Sequence, residues 1–334
     1  LTGSHLESQN YAGWLDGPLG VIYGLEAARV INADPAFKGR GVDVGVWFDE
    51  EGHFGNFLGS RSFVDGLSEA DVDAGVDRTD GRKLRDALAA AGLADKPRRR
   101  VQSNEYIGYL EAHIEQGDWL EAHELKLAVV TSIVGIWQFR ITFEGQQNHA
   151  GTTRMAIRKD AGVAAAELLC AIAKRFPQVA AERTVWTTGR ITLDPGAPSI
   201  IPGKADVLFQ IRDADLETLK RMEATLQELV VAANTSGPCT VACEAIRKSF
   251  PAIMDAKIQA AFEAASEEAA PTKHTHLPSG AGHDAQMLAR VMPAGMLFVP
   301  SIGGISHHWT ENTSDEDIVI GAQAFVGACQ RLLG

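Results

Sequence analysis

Cysteine is scarce in this 334-residue chain: Cys170, Cys239, Cys243 and Cys329 are the whole complement. Four thiols exclude a disulfide framework and fit a reducing, cytoplasmic setting. Cys239 and Cys243 stand in a C-x3-C pair with no second pair nearby, so they do not read as a metal knuckle. Positive charge is also in short supply. Lys+Arg 31 against Asp+Glu 43 leaves a net charge of −12, which argues against nucleic acid or an anionic membrane surface as a partner. No apolar run approaches the ~18–20 residues of a membrane span, and the opening residues do not read as a secretory leader. Internal repeats and low-complexity stretches are missing as well.

What is present is ordinary globular material. Hydrophobic residues make up 45% and charged residues 22%, enough for a sizeable core. The length exceeds the usual ~100–200 residues per domain, so one large domain or two modest ones are expected.

Apolar residues at helical spacing predict a helix over 17–31, and the short β-branched run 42–48 predicts an internal strand. A helix follows over 83–91. The stretch 106–115 alternates, with Tyr109, Glu111, His113 and Glu115 on one face and Leu110, Ala112 and Ile114 on the other. The opening residues 1–6 run into a motif-like stretch with no strand before them. The first strand of the sheet is therefore expected earlier, and the sequence reads as a form lacking it. A separable rhythm begins near 136: strand 136–144, helix 159–176, strands 184–193 and 205–212, helix 216–233, strand 240–247. The order β-α-β-β-α-β is that of a split βαβ sandwich whose free edge offers a dimer surface. After 248 the α/β alternation resumes, with a helix over 255–269, a strand over 274–277, a helix over 284–291 and a strand over 296–300. It ends in a helix over 316–333 whose start Thr313 or Ser314 caps. The expected architecture is an α/β catalytic domain, residues 1–130 and 249–334. An α+β ferredoxin-like (βαββαβ) dimerisation domain, residues 131–248, is inserted in it.

Five segments carry imidazoles and carboxylates at or just past predicted strand ends, where open α/β sheets place their sites. They are Gly3-Ser4-His5-Leu6-Glu7, Leu15-Asp16-Gly17, Asp49-Glu50-Glu51-Gly52, Glu111-Ala112-His113-Ile114-Glu115-Gln116-Gly117 and Ile305-Ser306-His307-His308. Singly, each reads as a solvated turn or a core histidine. Together they point to a site for Zn, Mn, Co or Ni. Of the adjacent glutamates, Glu51 is placed to ligate a metal and Glu50 to reach water as a general base. Asp16 is the candidate for a carboxylate between two metals. Three further segments invite a substrate reading. His149, in the run 145–153, is a candidate oxyanion donor. Arg212, at a strand end, is a candidate clamp for a substrate carboxylate. The segment 278–284, with His283, either holds an anion on backbone N–H groups or only supplies Asp284 as a helix cap.

These motifs resemble those of the N-carbamoyl-L-amino-acid hydrolases, β-ureidopropionases and allantoate amidohydrolases. These are di-metal amidohydrolases related to aminoacylases and carboxypeptidase G-type metallopeptidases. GSHLESQ, DGPLGV, DEEGHFG, EAHIEQG, GQQNHAGTT, APSIIPGKADVLFQIRD, SGAGHDA and GGISHHWTENTS carry the resemblance across essentially the whole chain. It implies one metal held by His5, Asp16 and His113, and a second by Asp16, Glu51 and His307. It implies Glu50 as general base, and Gln116, His149 and Arg212 as substrate contacts. His113, rather than a carboxylate at that place, resembles the carbamoyl-hydrolysing branch. A homodimer through the inserted domain is implied, with His149 reaching the partner's site. Ser199 stands near substrate where many members have Asn, and His53 follows Glu-Glu-Gly where Ser or Arg is common. The implied reaction cleaves a ureido C–N bond, releasing amino acid, CO2 and ammonia. Alternatives are allantoate or β-ureidopropionate-type substrates, or a metallo-aminoacylase or peptidase. A further alternative is an inactive form, since the family usually has several tens of residues before the segment matching GSH.

Overall fold

A computed structural model describes residues 1–334. In chain order, the larger unit opens with β1 (Thr2–His5), α1 (Pro18–Ala33), β2 (Val44–Trp47), α2 (Leu58–Phe63), α3 (Glu69–Ala74) and α4 (Leu84–Ala90). It continues with β3 (Tyr109–Ile114), α5 (Trp119–Ala122) and β4 (Leu127–Ile133). The middle of the chain forms β5 (Gly135–Glu144), β6 (Asn148–His149), α6 (Ala161–Arg175), β7 (Val185–Asp194), β8 (Ile200–Ile201), β9 (Lys204–Asp213), α7 (Leu216–Ser236) and β10 (Thr240–Lys248). The last part holds β11 (Ala252–Ile253), α8 (Ala256–Ala269), β12 (His274–Ser279), α9 (Asp284–Leu288), β13 (Ala294–Val299) and α10 (Asp315–Leu333). Leu1–Ile133 and Ile253–Gly334 make one compact unit, and Val134–Ala252 make another.

The larger unit is an α/β fold on a seven-stranded mixed sheet, ordered β11-β4-β13-β3-β1-β2 with β12 beside β4. β2, β1, β3 and β13 run parallel, and β4 is antiparallel to β13. β3 and β13 are buried on both faces, as a sheet covered by helices on each side requires. On one side, α1 presents Leu19, Tyr23, Ala27 and Ile31, spaced four apart. These pack with Phe262 of α8 and Phe325 of α10 on Leu110, Ala112, Ile114, Leu297 and Val299 of the sheet. The alternation in β3 sends Glu111 and His113 to the other side, where α2 and α9 lie.

Three expectations need correction here. The opening residues are not outside the sheet: Thr2–His5 is itself β1, between β2 and β3. Its letters Thr-Gly-Ser-His carry no hydrophobic pattern, although all four residues are buried. Residues 118–135, where the sequence pattern predicts no element, contain α5 and β4. The helix expected over 284–291 stops at Leu288. At the last helix, Ser314 caps α10 by accepting from Asp317 N, while the Thr313 hydroxyl donates to Pro300 O at 2.8 Å.

The smaller unit has four antiparallel strands in the order β10-β5-β9-β7. The inward residues Trp137, Phe139, Ile141 and Phe143 of β5, and Val207, Phe209 and Ile211 of β9, pack on α6 and α7. Asp160 and Asp215 cap those helices by accepting backbone N–H bonds. β7 forms one edge and is exposed along most of its length.

Candidate metal centre

The parallel strands β1, β2 and β3 end on one edge of the sheet, and each delivers a site residue there. His5 closes β1, Glu50 and Glu51 follow β2, and His113 lies one residue from the end of β3. Asp16 sits just before α1, and His307 lies in the loop between β13 and α10. Gly17 lets Asp16 reach this place. Its φ of 88° is open to glycine, and a Cβ there would overlap the His5 ring.

Two sets of ligand-type side chains form, with Asp16 common to both. In the first, His5 Nε2 is 3.4 Å and His113 Nε2 is 3.0 Å from Asp16 Oδ1. In the second, His307 Nε2 is 3.2 Å from Asp16 Oδ2 and 3.6 Å from Glu51 Oε1. His5, Asp16 and His113 are at most 2% exposed. The Glu50 carboxylate stands beside them, 3.9 Å from His5 Nε2.

Hydrogen bonding tests whether this set suits a cation. His5 Nδ1 donates to Glu7 O and His113 Nδ1 to Ile114 O, each at 2.9 Å. A carbonyl oxygen only accepts, so the proton of each neutral ring is on Nδ1, and the Nε2 lone pair faces the Asp16 carboxylate. Lone pair against carboxylate is repulsive unless a positive charge stands between them. Glu51 Oε1 is buried with no hydrogen-bond partner, although it points toward His307. An oxygen left this way is costly without a counter-charge. The residues therefore fit divalent cations.

Titration behaviour agrees with this. Burial works against charge on His5, yet the bond to Asp16 and the charges of Glu50 and Asp284 raise its pKa well above the usual histidine value. Burial likewise opposes ionisation of Asp16, but bonds from His113, His307 and His5 hold it well below the carboxylate range. Burial pushes Glu50 well above that range; nearby His5 opposes this, and Asp284, Glu51 and Asp16 add to it.

The structure places the remaining candidates as follows. Gln116 joins the centre: its amide donates to Asp16 Oδ2 at 2.8 Å and to Ser306 Oγ at 3.2 Å. His283 does not face solvent. It is 2% exposed, packs edge-on to His113 with ring centroids 4.5 Å apart, and shares a 2.8 Å hydrogen bond with Ser279 Oγ. Asp284 does not act as the α9 cap; it accepts from Ser60 Oγ at 2.5 Å. His149, Ser199 and Arg212 belong to the smaller unit. There β6 pairs with β8, and Ala150 N donates to Ser199 O at 2.9 Å. His149 is exposed, and its Nδ1 accepts from Gly151 N at 3.0 Å and Thr152 N at 3.2 Å. Accepting on Nδ1 puts the proton of the neutral ring on Nε2, leaving that nitrogen a donor. Arg212 is half-buried, its Nε donating to Gln210 Oε1 at 2.6 Å, and burial lowers its pKa. Glu7, Gln9, Ser306 and Glu311 were missed. Glu7 Oε1 accepts from Glu51 N, and Gln9 Nε2 donates to Glu51 Oε2. Their only signal in the sequence is that each lies within four residues of a candidate ligand.

Residues 3–331 match the family described as Peptidase family M20/M25/M40. The chain belongs to that family. It is 33% identical over 335 residues to an N-carbamoyl-L-amino-acid amidohydrolase of Paenarthrobacter aurescens, covering 99% of this chain and 80% of that one. To a ureidoglycolate hydrolase of Oryza sativa subsp. japonica it is 32% identical over 340 residues, covering 99% of this chain and 70% of the relative. Among solved structures, an amidase of the hydantoinase/carbamoylase family from Burkholderia phymatum superimposes with a TM-score of 0.90 at 45% identity. That match covers 100% of this chain and 81% of the other. This member of the family is a hydrolase of C–N bonds. No helix is long and apolar enough to cross a membrane.

Proposed function

We propose that this protein hydrolyses the ureido C–N bond of N-carbamoyl-L-amino acids, releasing the amino acid, CO2 and ammonia. The observation that carries the reading is the convergence of His5, Asp16, Glu51, His113 and His307, with Asp16 shared between two sets and Glu50 alongside. His5, Asp16 and His113 would hold one divalent ion, and Asp16, Glu51 and His307 the second. Bound ions of this kind lower the pKa of water and polarise a carbonyl. Zn, Mn, Co and Ni all suit imidazole and carboxylate ligands.

The chain's own groups do the rest. Glu50 takes the proton of the attacking water and passes it to the leaving nitrogen. His149, a donor at Nε2, faces the developing oxyanion. Arg212 grips the substrate carboxylate in bidentate fashion, with Gln116 and Ser199 beside the substrate. Two divalent ions and one guanidinium outweigh the distant, screened net charge of −12, so an anionic substrate is accepted. The smaller unit, read as a ferredoxin-like sandwich, serves as a homodimer contact through which His149 acts on the partner's site. Val185, Ile191 and Leu193 of β7 are exposed, 40% or more, on an edge strand suited to that role. Four free cysteines fit a cytoplasmic location.

The test is a substrate panel with each metal restored after chelation: N-carbamoyl-L-α-amino acids, N-carbamoyl-β-alanine, allantoate, ureidoglycolate, N-acetyl amino acids and dipeptides. N-carbamoyl-L-α-amino acids should give the highest kcat/KM. A preference for N-acetyl substrates or dipeptides would overturn the reading in favour of an aminoacylase or peptidase. The ureidoglycolate hydrolase relative makes ureidoglycolate the nearest competitor.

A further inference from the structure

Glu311 holds no ion and touches no substrate in the reading above, yet it binds two of the site's loops. The residue is 2% exposed and forms no ion pair with lysine or arginine. All four of its side-chain partners are donors from ligand-bearing loops. Oε1 accepts from Leu15 N and Asp16 N, each at 3.2 Å. Oε2 accepts from Ser306 Oγ at 3.0 Å and His307 N at 3.3 Å. One carboxylate thus spans segments 291 positions apart in the chain (307 − 16), and its own carbonyl accepts from Trp14 Nε1 at 2.8 Å.

His307 needs such a hold. Its φ is 54°, a left-handed conformation that a non-glycine residue keeps only when its surroundings over-determine it. His5 and His113 do not depend on Glu311, because each is oriented through Nδ1 by a backbone carbonyl near it in the chain.

We propose that Glu311 is a positioning residue that locks the Asp16 loop to the His307 loop, so that the Asp16–Glu51–His307 set is assembled before an ion arrives. The inference rests on the two-ion reading above. Its charge, buried and held by four N–H and O–H donors, also adds negative potential beside His307, attracting a cation.

Glu311→Gln keeps the shape but turns an amide NH2 toward one pair of donors. Co²⁺ and Zn²⁺ binding to the full chain, followed by calorimetry and by metal analysis after dialysis, separates the two ions. The second ion, whose set contains both Asp16 and His307, should bind about 10–100-fold more weakly, the usual loss when an outer partner of a ligand is removed. The first, which shares only Asp16 with it, should lose less. Two ions bound at wild-type affinity, or both weakened equally, would overturn the proposal while leaving the two-ion reading intact. A wild type that binds fewer than two ions would overturn both. Should Glu311→Gln fail to fold, Ser306→Ala removes one of the four donors. It should weaken the second ion more than the first, and unchanged binding of both ions would again overturn the proposal.

Discussion

At the scale of single residues, Glu50 and Glu51 show how neighbours take different work. Beyond the end of β2 the pleat no longer forces them to opposite faces. Glu51 Oε1 points toward His307 Nε2, and the Glu50 carboxylate toward His5 Nε2. Glu50→Gln should lower kcat by roughly 10²–10⁴-fold, the range for a lost general base, while both ions stay bound. Loss of metal in that variant would show that the two glutamates have exchanged roles. Gly17→Ala is the backbone counterpart. A φ of 88° together with a Cβ against the His5 ring should cost about 1–3 kcal/mol and weaken the first ion. Urea denaturation and metal analysis on one sample check both, and an unchanged midpoint would contradict the strain. The carbonyl partners of His5 and His113 Nδ1 could not be read from the sequence, because a tautomer depends on which oxygen the folded backbone brings up.

Among elements, helices with a strong apolar period were legible and short polar ones were not. α1, α6, α7, α8 and α10 begin and end within about three residues of their expected bounds, because apolar residues recur every three to four positions in all five and Asp or Ser caps start the last four. α2 and α3 leave no such signal in the sequence. At six residues each they are too short to show a period. α3 is held by a capping box in which Ser68 Oγ accepts from Asp71 N, and Asp71 Oδ2 accepts from Ser68 N at 2.8 Å. Those bonds from Ser68, with Arg61 3.0 Å away, bring the Asp71 carboxyl down to about 2 from 3.8. A carboxyl with a depressed folded pKa stabilises the fold above its unfolded value and loses that contribution as pH falls through the folded one. Asp71→Asn should therefore cost about 0.5–1 kcal/mol at pH 6, a modest figure for an exposed cap. The gap to wild type should narrow below pH 4. Urea midpoints at pH 3 and pH 6 provide the check, and an equal gap at both would refute the assignment.

For the molecule as a whole, the centre draws on side chains from position 5 to position 307, so ion binding would tie together both parts of the larger unit. A ligand that binds only the folded state stabilises it by RT ln(1 + [L]/Kd), about 3–4 kcal/mol at 100–1,000 times Kd. Chelation should lower the thermal midpoint, and restoring a divalent ion should raise it in a concentration-dependent way. Circular dichroism melts with and without EDTA test this, and superimposable curves would mean that no ion binds the fold.

The sequence by itself determined the α/β alternation, the separable rhythm near its middle and the five ligand-bearing segments, because periodicity and local motifs are properties of neighbours in the chain. Tertiary structure alone decided that Thr2–His5 lies inside the sheet, that His283 packs on His113 away from solvent, and that Glu311 joins two loops. These depend on contacts between residues from 42 to nearly 300 positions apart. Whether a polar side chain is a surface group or a buried acceptor is settled by what the fold sets against it.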